Sequence, residues 1–199
     1  MGGKSIGLIA VVLVALFLLM SGCNTYNSLV KSQTAVEGAW SQVQNRYQER
    51  ADLIDNLVAT VKGAAQHEES TLTKVTEARA RASSIVVSKD VLDDPEAMKK
   101  FQQAQGDLSN ALKSLIAVNE AYPDLKANQN FLALQSQIEG MEHRITTERM
   151  RFNTVVQDYN TQVRRFPANI FAGIFGFHER PAFTAEPGSE TAPKVDFSK

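Results

Sequence analysis

Apolar residues recur at steps of three and four along most of this chain, and this spacing constrains the fold more than any other feature. The first such stripe predicts one helix of about 40 residues, roughly 60 Å long at 1.5 Å per residue. Its members are Leu29, Gln33, Val36, Trp40, Val43, Tyr47, Ala51, Ile54, Val58, Val61 and Ala65. The opposite face is polar and is expected to face solvent.

Three further stretches repeat this spacing. The second runs from Leu72 to Ile85, before turn-forming residues. The third begins at Asp94-Pro95-Glu96, where Asp can cap free amides and Pro suits the first helical position, and is expected to end near Ala121. The fourth, from Phe131 to Val163, has a near-heptad stripe and is stopped by Pro167.

No long stretch alternates as a strand, so the sequence predicts an all-α fold. Short connections favour an antiparallel up-down four-helix bundle with two long helices, preceded by an N-terminal hydrophobic anchor helix. A long coiled-coil homodimer is the competing arrangement. The predicted parts are an anchor at 1–23, the bundle at 24–166, an apolar membrane-proximal segment at 167–183 and a disordered tail at 184–199.

The anchor contains an uncharged apolar run from Ile6 to Met20, followed by Ser21, Gly22 and the single cysteine, Cys23. A run of about 15 residues suits a signal peptide, whereas a spanning helix needs roughly 20. Two alternatives remain: a lipoprotein signal with lipid attachment at Cys23, or an uncleaved transmembrane helix. Both tether the chain to a membrane. Lys4 before the run weakly favours a cytoplasmic N-terminus, with the body outside the cytoplasm.

Composition excludes other classes of protein. Lys and Arg number 21 against 22 Asp and Glu, which argues against general nucleic-acid binding. A chain with one cysteine forms no internal disulfide.

The sequence contains no recognisable catalytic, metal or cofactor constellation. A di-iron bundle needs Glu-x-x-His pairs, but Glu142 stands three residues after Glu139, so the pattern fails. His67 lies outside any His-Glu-x-x-His motif. Five polar residues on or beside the stripes are expected to fix helix register, or alternatively to form a ligand cavity. They are Gln33, Gln105, Asn119, Glu148 and Gln162.

Several segments carry a family resemblance. They are YNSLV at 26–30, DLIDNLVATVKG at 52–63, TEARA at 76–80, NEAYPDLKANQNFLALQSQIEG at 119–140 and RRFP at 164–167. Together they resemble the LemA family of bacterial membrane proteins. The resemblance implies an N-terminal membrane segment, an antiparallel helical bundle and no established enzymatic activity. Asp55 stands where the family commonly has Pro, which leaves the first helix free to run straight.

The end of the fourth helix should return to the membrane if the helices are antiparallel. We therefore hypothesise a membrane-interface segment, in which apolar side chains contact lipid and two arginines lie near headgroups. Its residues are Arg164, Arg165, Phe166, Ile170, Phe171, Ile174, Phe175 and Phe177. The alternative is that the aromatic side chains cap the bundle core. The tail after Phe183 has no apolar period, which predicts disorder.

Two functions follow from these features. The first is a non-enzymatic, membrane-anchored scaffold or adaptor of the bacterial envelope, which binds protein partners or further copies of itself. The second is a ligand-binding or accessory subunit of an envelope enzyme or protease system, with a polar pocket between helices.

Overall fold

The computed structural model describes residues 3–64, 69–86 and 89–185. This part of the chain is all-α and contains no strand. Its helices are α1 (Gly3–Ala64), α2 (Glu69–Val86), α3 (Pro95–Ala117), α4 (Pro123–Lys126), α5 (Gln129–Arg164) and α6 (Ala168–Phe175). Two 3₁₀ turns, Lys89–Leu92 and Val118–Glu120, flank α3.

Helix α1 is a single helix of 62 residues. The predicted first helix of about 40 residues is therefore the C-terminal part of a longer helix, which runs without a break from the predicted anchor segment. The physical reason is the absence of a helix breaker, since the first proline of the chain is Pro95 and only proline both removes a backbone donor and clashes with the preceding turn. The helix passes straight through Asp55, whose Oδ2 accepts a hydrogen bond of 2.6 Å from Arg79 of α2.

The N-terminal part of α1 makes few contacts with the rest of the protein. Its described large apolar side chains are exposed: Leu8, Ile9, Val11, Val12, Leu13, Leu16, Leu19 and Met20. In the described parts of the chain, no helix is both long enough and apolar enough to span a membrane.

Side-chain caps mark the start of two helices, as the residue types indicate. The Asp94 Oδ1 atom accepts a hydrogen bond of 2.9 Å from the Glu96 backbone N–H, which confirms the predicted start of α3. The Asn128 Oδ1 atom accepts from the backbone N–H groups of Asn130 and Phe131 at the start of α5. Helix α3 ends at Ala117, earlier than expected, because the chain tightens into a 3₁₀ turn before Pro123.

Helix α5 packs along α1, and α2 packs against α3. In three contacts between α1 and α5, the residue number falls along α5 as it rises along α1. They are Ser32 with Gln162 at 2.7 Å, Trp40 with Phe152 at 5.4 Å between ring centroids, and Arg50 with Glu142 at 2.7 Å.

The buried apolar side chains of the described residues form two clusters along the helices. The first core cluster surrounds Trp40, Phe101 and Phe152, and the burial of Trp40 confirms its predicted place in the core. The second core cluster contains Ile54 and Phe131 and lies farther from the N-terminal apolar run. Helices α1, α3 and α5 contribute buried side chains to both clusters, whereas those of α2 belong to the second cluster and that of α6 to the first.

After α6 the chain reverses and runs back along α5. Gly176 has φ of 77°, a left-handed conformation that glycine adopts without strain, and it allows the reversal. Residues 177–185, which we call the strap, then follow the surface of the helices. Phe183, the last residue of the predicted membrane-proximal segment, is buried in the first core cluster. Thr184 donates through its backbone N–H to Gln102 Oε1 at 3.1 Å, whereas most of the predicted disordered tail, 186–199, lies outside the described residues.

Candidate functional site

The most unusual buried residue is Arg50, whose exposed fraction is 1%. It lies on α1 beside Ala51, between the first and second core clusters. A buried guanidinium remains protonated, so it requires hydrogen-bond acceptors around it. The local sequence places it there because Tyr47, Ala51 and Ile54 all face the core, and Arg50 occupies the same side of the helix.

Side chains from two other helices supply these acceptors. Arg50 Nη1 donates to Ser109 Oγ at 2.8 Å and to Glu142 Oε1 at 2.7 Å, and Nη2 donates to Gln105 Oε1. The guanidinium also lies 5.0 Å from the centre of the Tyr47 ring, within the range of a cation–π interaction. We call Arg50, Gln105, Ser109 and Glu142 the Arg50 node.

The Arg50 node connects four helices. Gln105 of α3 accepts from α1 and also donates to the Ala82 carbonyl of α2 at 3.4 Å, while Glu142 belongs to α5. The Arg50 Nε atom is buried and has no hydrogen-bond partner among the residues that the structure describes. The node therefore fixes the relative register of the helices while leaving one guanidinium donor unused.

A groove of about 630 Å³ opens at this node, between α3 and α5. Helix α3 packs on α2 and α5 packs on α1, so the two walls of the groove are held apart, and Tyr47 and Arg50 of α1 form its floor. Apolar and charged side chains alternate along the walls. The apolar ones include Leu112, Ile116, Ile138 and Ile145, and the charged ones include Lys113, Glu139, Glu142 and Arg149.

The chemistry of this groove is suited to binding. Ser109 supplies the hydroxyl of the node, but its partners are Arg50 and Glu142, at 2.8 and 3.4 Å, and no imidazole of the described residues is hydrogen-bonded to it. His143 lies at the exposed rim. Within the described residues, no group of three or more His, Cys, Asp or Glu side chains is placed to hold a metal ion. An elongated, amphipathic groove of this kind matches the shape of a peptide helix or of a small amphiphilic molecule.

The five polar residues expected from the sequence fall in different places. Gln105 and Asn119 line the groove, and Gln162 accepts from Ser32 across α1 and α5. Gln33 instead bonds to Glu37 on its own helix, at 3.2 Å. Glu148 is half-buried, and its Oε2 atom has no hydrogen-bond partner among the described residues.

Sequence reasoning missed Arg50. The available signal was its position, since a residue three after Tyr47 and four before Ile54 lies within the apolar stripe. A charged side chain at such a position is either partly exposed to solvent or part of a buried ion pair.

The predicted membrane-interface residues separate into two groups. Phe166, Ile170, Ile174 and Phe175 are exposed, as are Arg164 and Arg165. Phe171 is half-buried and lies over Gly22 of α1, where an added Cβ would come within 3.0 Å of its ring. Phe177 is half-buried and packs against the first core cluster and the Tyr26 ring. Cys23, the candidate lipid-attachment residue, is exposed on α1 beside this contact.

The strap brings further charges onto the bundle. Arg180 forms an ion pair with Asp93 and donates to the Leu92 carbonyl at 3.2 Å. Burial lowers the pKa of Arg180, and the nearby Glu37 carboxylate acts in the opposite direction. Burial raises the pKa of Tyr159, and Glu37 raises it further.

A family profile and individual proteins of known sequence both match this chain. The profile of the LemA family matches residues 39–197. Magnetosome protein MamQ 2 of Paramagnetospirillum magneticum is 26% identical over 182 residues, which cover 83% of this chain and 67% of that protein. Magnetosome protein MamQ of Magnetospirillum gryphiswaldense is 26% identical over 184 residues, with the same two shares.

Protein LemA of Metamycoplasma hominis is 25% identical over 159 residues, which cover 80% of this chain and 68% of that protein. The family match includes the Arg50 node, the groove, α6 and the strap. Since it extends over far more than half of the sequence, this chain belongs to the LemA family.

Proposed function

We propose that this protein is a non-enzymatic, membrane-attached adaptor of the bacterial envelope, which binds other proteins through its helical body. One observation carries the proposal: the exposed apolar N-terminal part and the body share the single helix α1. Exposed apolar side chains in such number favour a lipid environment over water. A body joined to them without a break is held at a defined position relative to the membrane.

We further propose that α1, α2, α3 and α5 form an antiparallel up-down bundle. The opposed numbering of the contacts between α1 and α5 supports this arrangement. In such a bundle the end of α5 lies beside the apolar part of α1, and the groove lies at the middle of the bundle.

The groove between α3 and α5 is the best candidate for a partner-binding surface. Its walls present apolar residues at helical spacing together with charges of both signs, which suits an amphipathic helix of a partner. The names of the relatives, protein LemA and magnetosome protein MamQ, state no enzymatic activity, which agrees with an adaptor.

Photo-crosslinking in the membrane tests the adaptor function. A photoreactive amino acid at His143, on the rim of the groove, is expected to trap a partner protein or a second copy of the chain. The same amino acid at Glu77, an exposed position on α2, is the matched control. If both positions yield only the uncrosslinked monomer in intact cells, the adaptor function is wrong.

A second candidate function is the binding of a small ligand by the same groove. The observation that favours it is the volume of about 630 Å³ above a buried arginine, which lies in the range of small-molecule sites. Mass spectrometry of the protein extracted under native conditions distinguishes the two functions. A bound small molecule that is lost in Ser109→Trp, which fills the groove, would favour ligand binding, whereas an empty groove would favour the adaptor.

The form of the membrane attachment has its own test. Cleavage before Cys23 would remove Gly22 and its contact with Phe171, so we expect the N-terminal segment to be retained. An intact mass that includes Met1 to Gly22 would support this expectation, and a mass beginning at Cys23 with added acyl groups would establish a lipoprotein. A variant without residues 1–23 is expected in the soluble fraction. An impermeant reagent that labels the body from outside intact cells or spheroplasts would support the extracytoplasmic orientation.

A further inference from the structure

Helix α6 has two faces of different character. Its inner face packs against α1 and α5, with Ala172 buried and Phe171 over Gly22. Its outer face carries Ile170 and Ile174, which are one helical turn apart, and Phe166, just before the helix, is exposed as well. The exposed fractions of Phe166, Ile170 and Ile174 are 76%, 53% and 69%.

The position of this outer face indicates what covers it. Gly22, where α6 packs, lies two residues after Met20, at which the apolar run ends, and the described large side chains of that run are exposed as well. The two exposed apolar surfaces are therefore adjacent. A single extended surface, such as a membrane, that covers one of them would therefore also contact the other.

The charges beside α6 fit an anionic lipid surface. Arg164 and Arg165 end α5 directly before Phe166, and both are exposed. The Glu179 carboxylate lies 3.8 Å from the Arg164 guanidinium, so it neutralises the charge of at most one of the two arginines. Exposed arginines next to an apolar helix face are typical of segments that lie at the boundary between headgroups and acyl chains.

We infer that the outer face of α6 is a second membrane contact, with Phe166, Ile170 and Ile174 inserted into the lipid interface and the two arginines at the headgroups. The inference deepens the proposed function and rests on its membrane attachment. It assigns the lipid contact to one face of α6 only, and leaves Phe171, Ala172 and Phe177 to packing within the protein.

Contacts with α1 and with the strap fix the position of α6 on the protein. Helix α6 is held to α1 at Gly22, and Phe175 and Phe177 both lie edge-on to the Tyr26 ring, at 5.0 and 5.8 Å between centroids. The strap then connects α6 to Phe183 in the first core cluster. A bilayer that holds both α1 and α6 thus prevents the bundle from rotating about α1.

Tryptophan fluorescence in reconstituted vesicles tests the inference. The full chain is inserted into vesicles of phosphatidylcholine and phosphatidylglycerol, with or without nitroxide-labelled lipid. Ile174→Trp reports on the outer face of α6, and Leu132→Trp, an exposed apolar position at the start of α5, is the matched control. Trp40 is buried in the core, so the unchanged chain supplies the background signal.

We expect lipid quenching of the added fluorescence to be at least about threefold stronger at position 174 than at position 132, because an interfacial helix places its apolar face below the headgroups. Acrylamide in the buffer should quench position 132 more strongly. Equal behaviour at the two positions would overturn the inference. Shielding of position 174 from both lipid and acrylamide would also overturn it, since a protein would then cover this face.

Flotation of the same vesicles separates this inference from the proposed function. If the chain floats with the lipid but position 174 is not quenched by it, the membrane attachment stands and the role of α6 is wrong. If the chain does not float, the membrane attachment itself is wrong, and the inference fails with it.

Discussion

The Asn153 side chain is hydrogen-bonded to both backbone groups of Phe183. Its Oδ1 atom accepts from the Phe183 N–H and its Nδ2 atom donates to the Phe183 carbonyl, both at 2.9 Å. About two turns farther along α5, Asn160 makes the same pair of bonds with Arg180. Two asparagines on α5 thus satisfy the backbone of a strap that has no regular secondary structure of its own.

The first prediction concerns these bonds. Asn153→Ala removes both hydrogen bonds to Phe183, so the free energy of opening the strap should fall by about 1–2 kcal/mol. The Phe183 amide should then exchange about 5–30-fold faster. Hydrogen–deuterium exchange of the strap measures this. Asn130→Ala, at an exposed position on the same helix, should leave strap exchange unchanged. Unchanged exchange in Asn153→Ala would mean that the strap is held by Phe183 alone.

The second prediction concerns the Phe183 side chain, which is 7% exposed and lies between the Phe101, Phe152 and Trp40 rings. Phe183→Ala should lower the free energy of unfolding by about 3 kcal/mol, because it leaves a cavity in the first core cluster. Phe166→Ala, at an exposed phenylalanine, should change it by less than about 0.5 kcal/mol in detergent solution. Urea unfolding followed by Trp40 fluorescence compares the two, and equal effects would contradict the placement of the strap.

The third prediction concerns the Arg50 node. Glu142→Gln leaves the buried guanidinium with neutral acceptors only, and we expect a loss of about 2 kcal/mol, reduced from the value for a fully buried pair because the Glu142 side chain is 39% exposed. Glu139→Gln, one turn earlier on an exposed face, is the control and should cost less than about 0.5 kcal/mol. Chemical denaturation measures both. A Glu142→Gln variant as stable as its control would show that Gln105 and Ser109 suffice for Arg50.

The fourth prediction concerns pH. The pKa of Tyr159 is raised in the folded state, mainly by burial and further by Glu37. Above about pH 10, where a tyrosine of the unfolded chain begins to ionise, the unfolded state binds fewer protons than the folded state, so stability must fall as pH rises. Below this pH the contribution of Tyr159 is constant. Urea midpoints measured across this range should fall less steeply in Tyr159→Phe, and identical slopes would exclude Tyr159 as the cause.

The fifth prediction concerns the contact between α1 and α6. An added Cβ on Gly22 would lie only 3.0 Å from the Phe171 ring, and the rest of a leucine side chain needs more room, so we expect Gly22→Leu to displace α6 from α1. We expect increased amide exchange in α6 and little change in the second core cluster, which contains no residue of α6. Gly7→Leu, where an added Cβ meets nothing, is the matched control. Normal protection of α6 in Gly22→Leu would contradict this packing.

The helices could be predicted from the sequence because each buries one stripe, and a stripe is a local pattern. Asp94 and Pro167 marked two of the ends through backbone chemistry that acts over a few residues. The sequence left open whether the apolar run and the first stripe belong to one helix. Apolar composition changes sharply after Met20, but a change of composition does not break a helix.

The Arg50 node and the strap depend on partners far away in the sequence. Arg50 meets Gln105, Ser109 and Glu142 at separations of 55, 59 and 92 residues, and a charged residue in isolation is more simply assigned to the surface. The strap has no periodicity at all, since asparagine side chains rather than a regular ladder satisfy its backbone. The groove arises where α3 and α5 stand apart on either side of the Arg50 node, and a space between distant segments leaves no local pattern.

Because α1 is unbroken, a tilt at its N-terminal end moves the rest of the helix with it. Arg50 lies 27 residues beyond Cys23 on the same helix, or about 40 Å at 1.5 Å per residue. A tilt of about 10° at the Cys23 end would therefore carry the floor of the groove about 7 Å sideways, because no proline hinge between them absorbs the motion. In the membrane attachment that we propose, changes in bilayer thickness or tension would reach the groove as displacement, without any change in the packing of the helices.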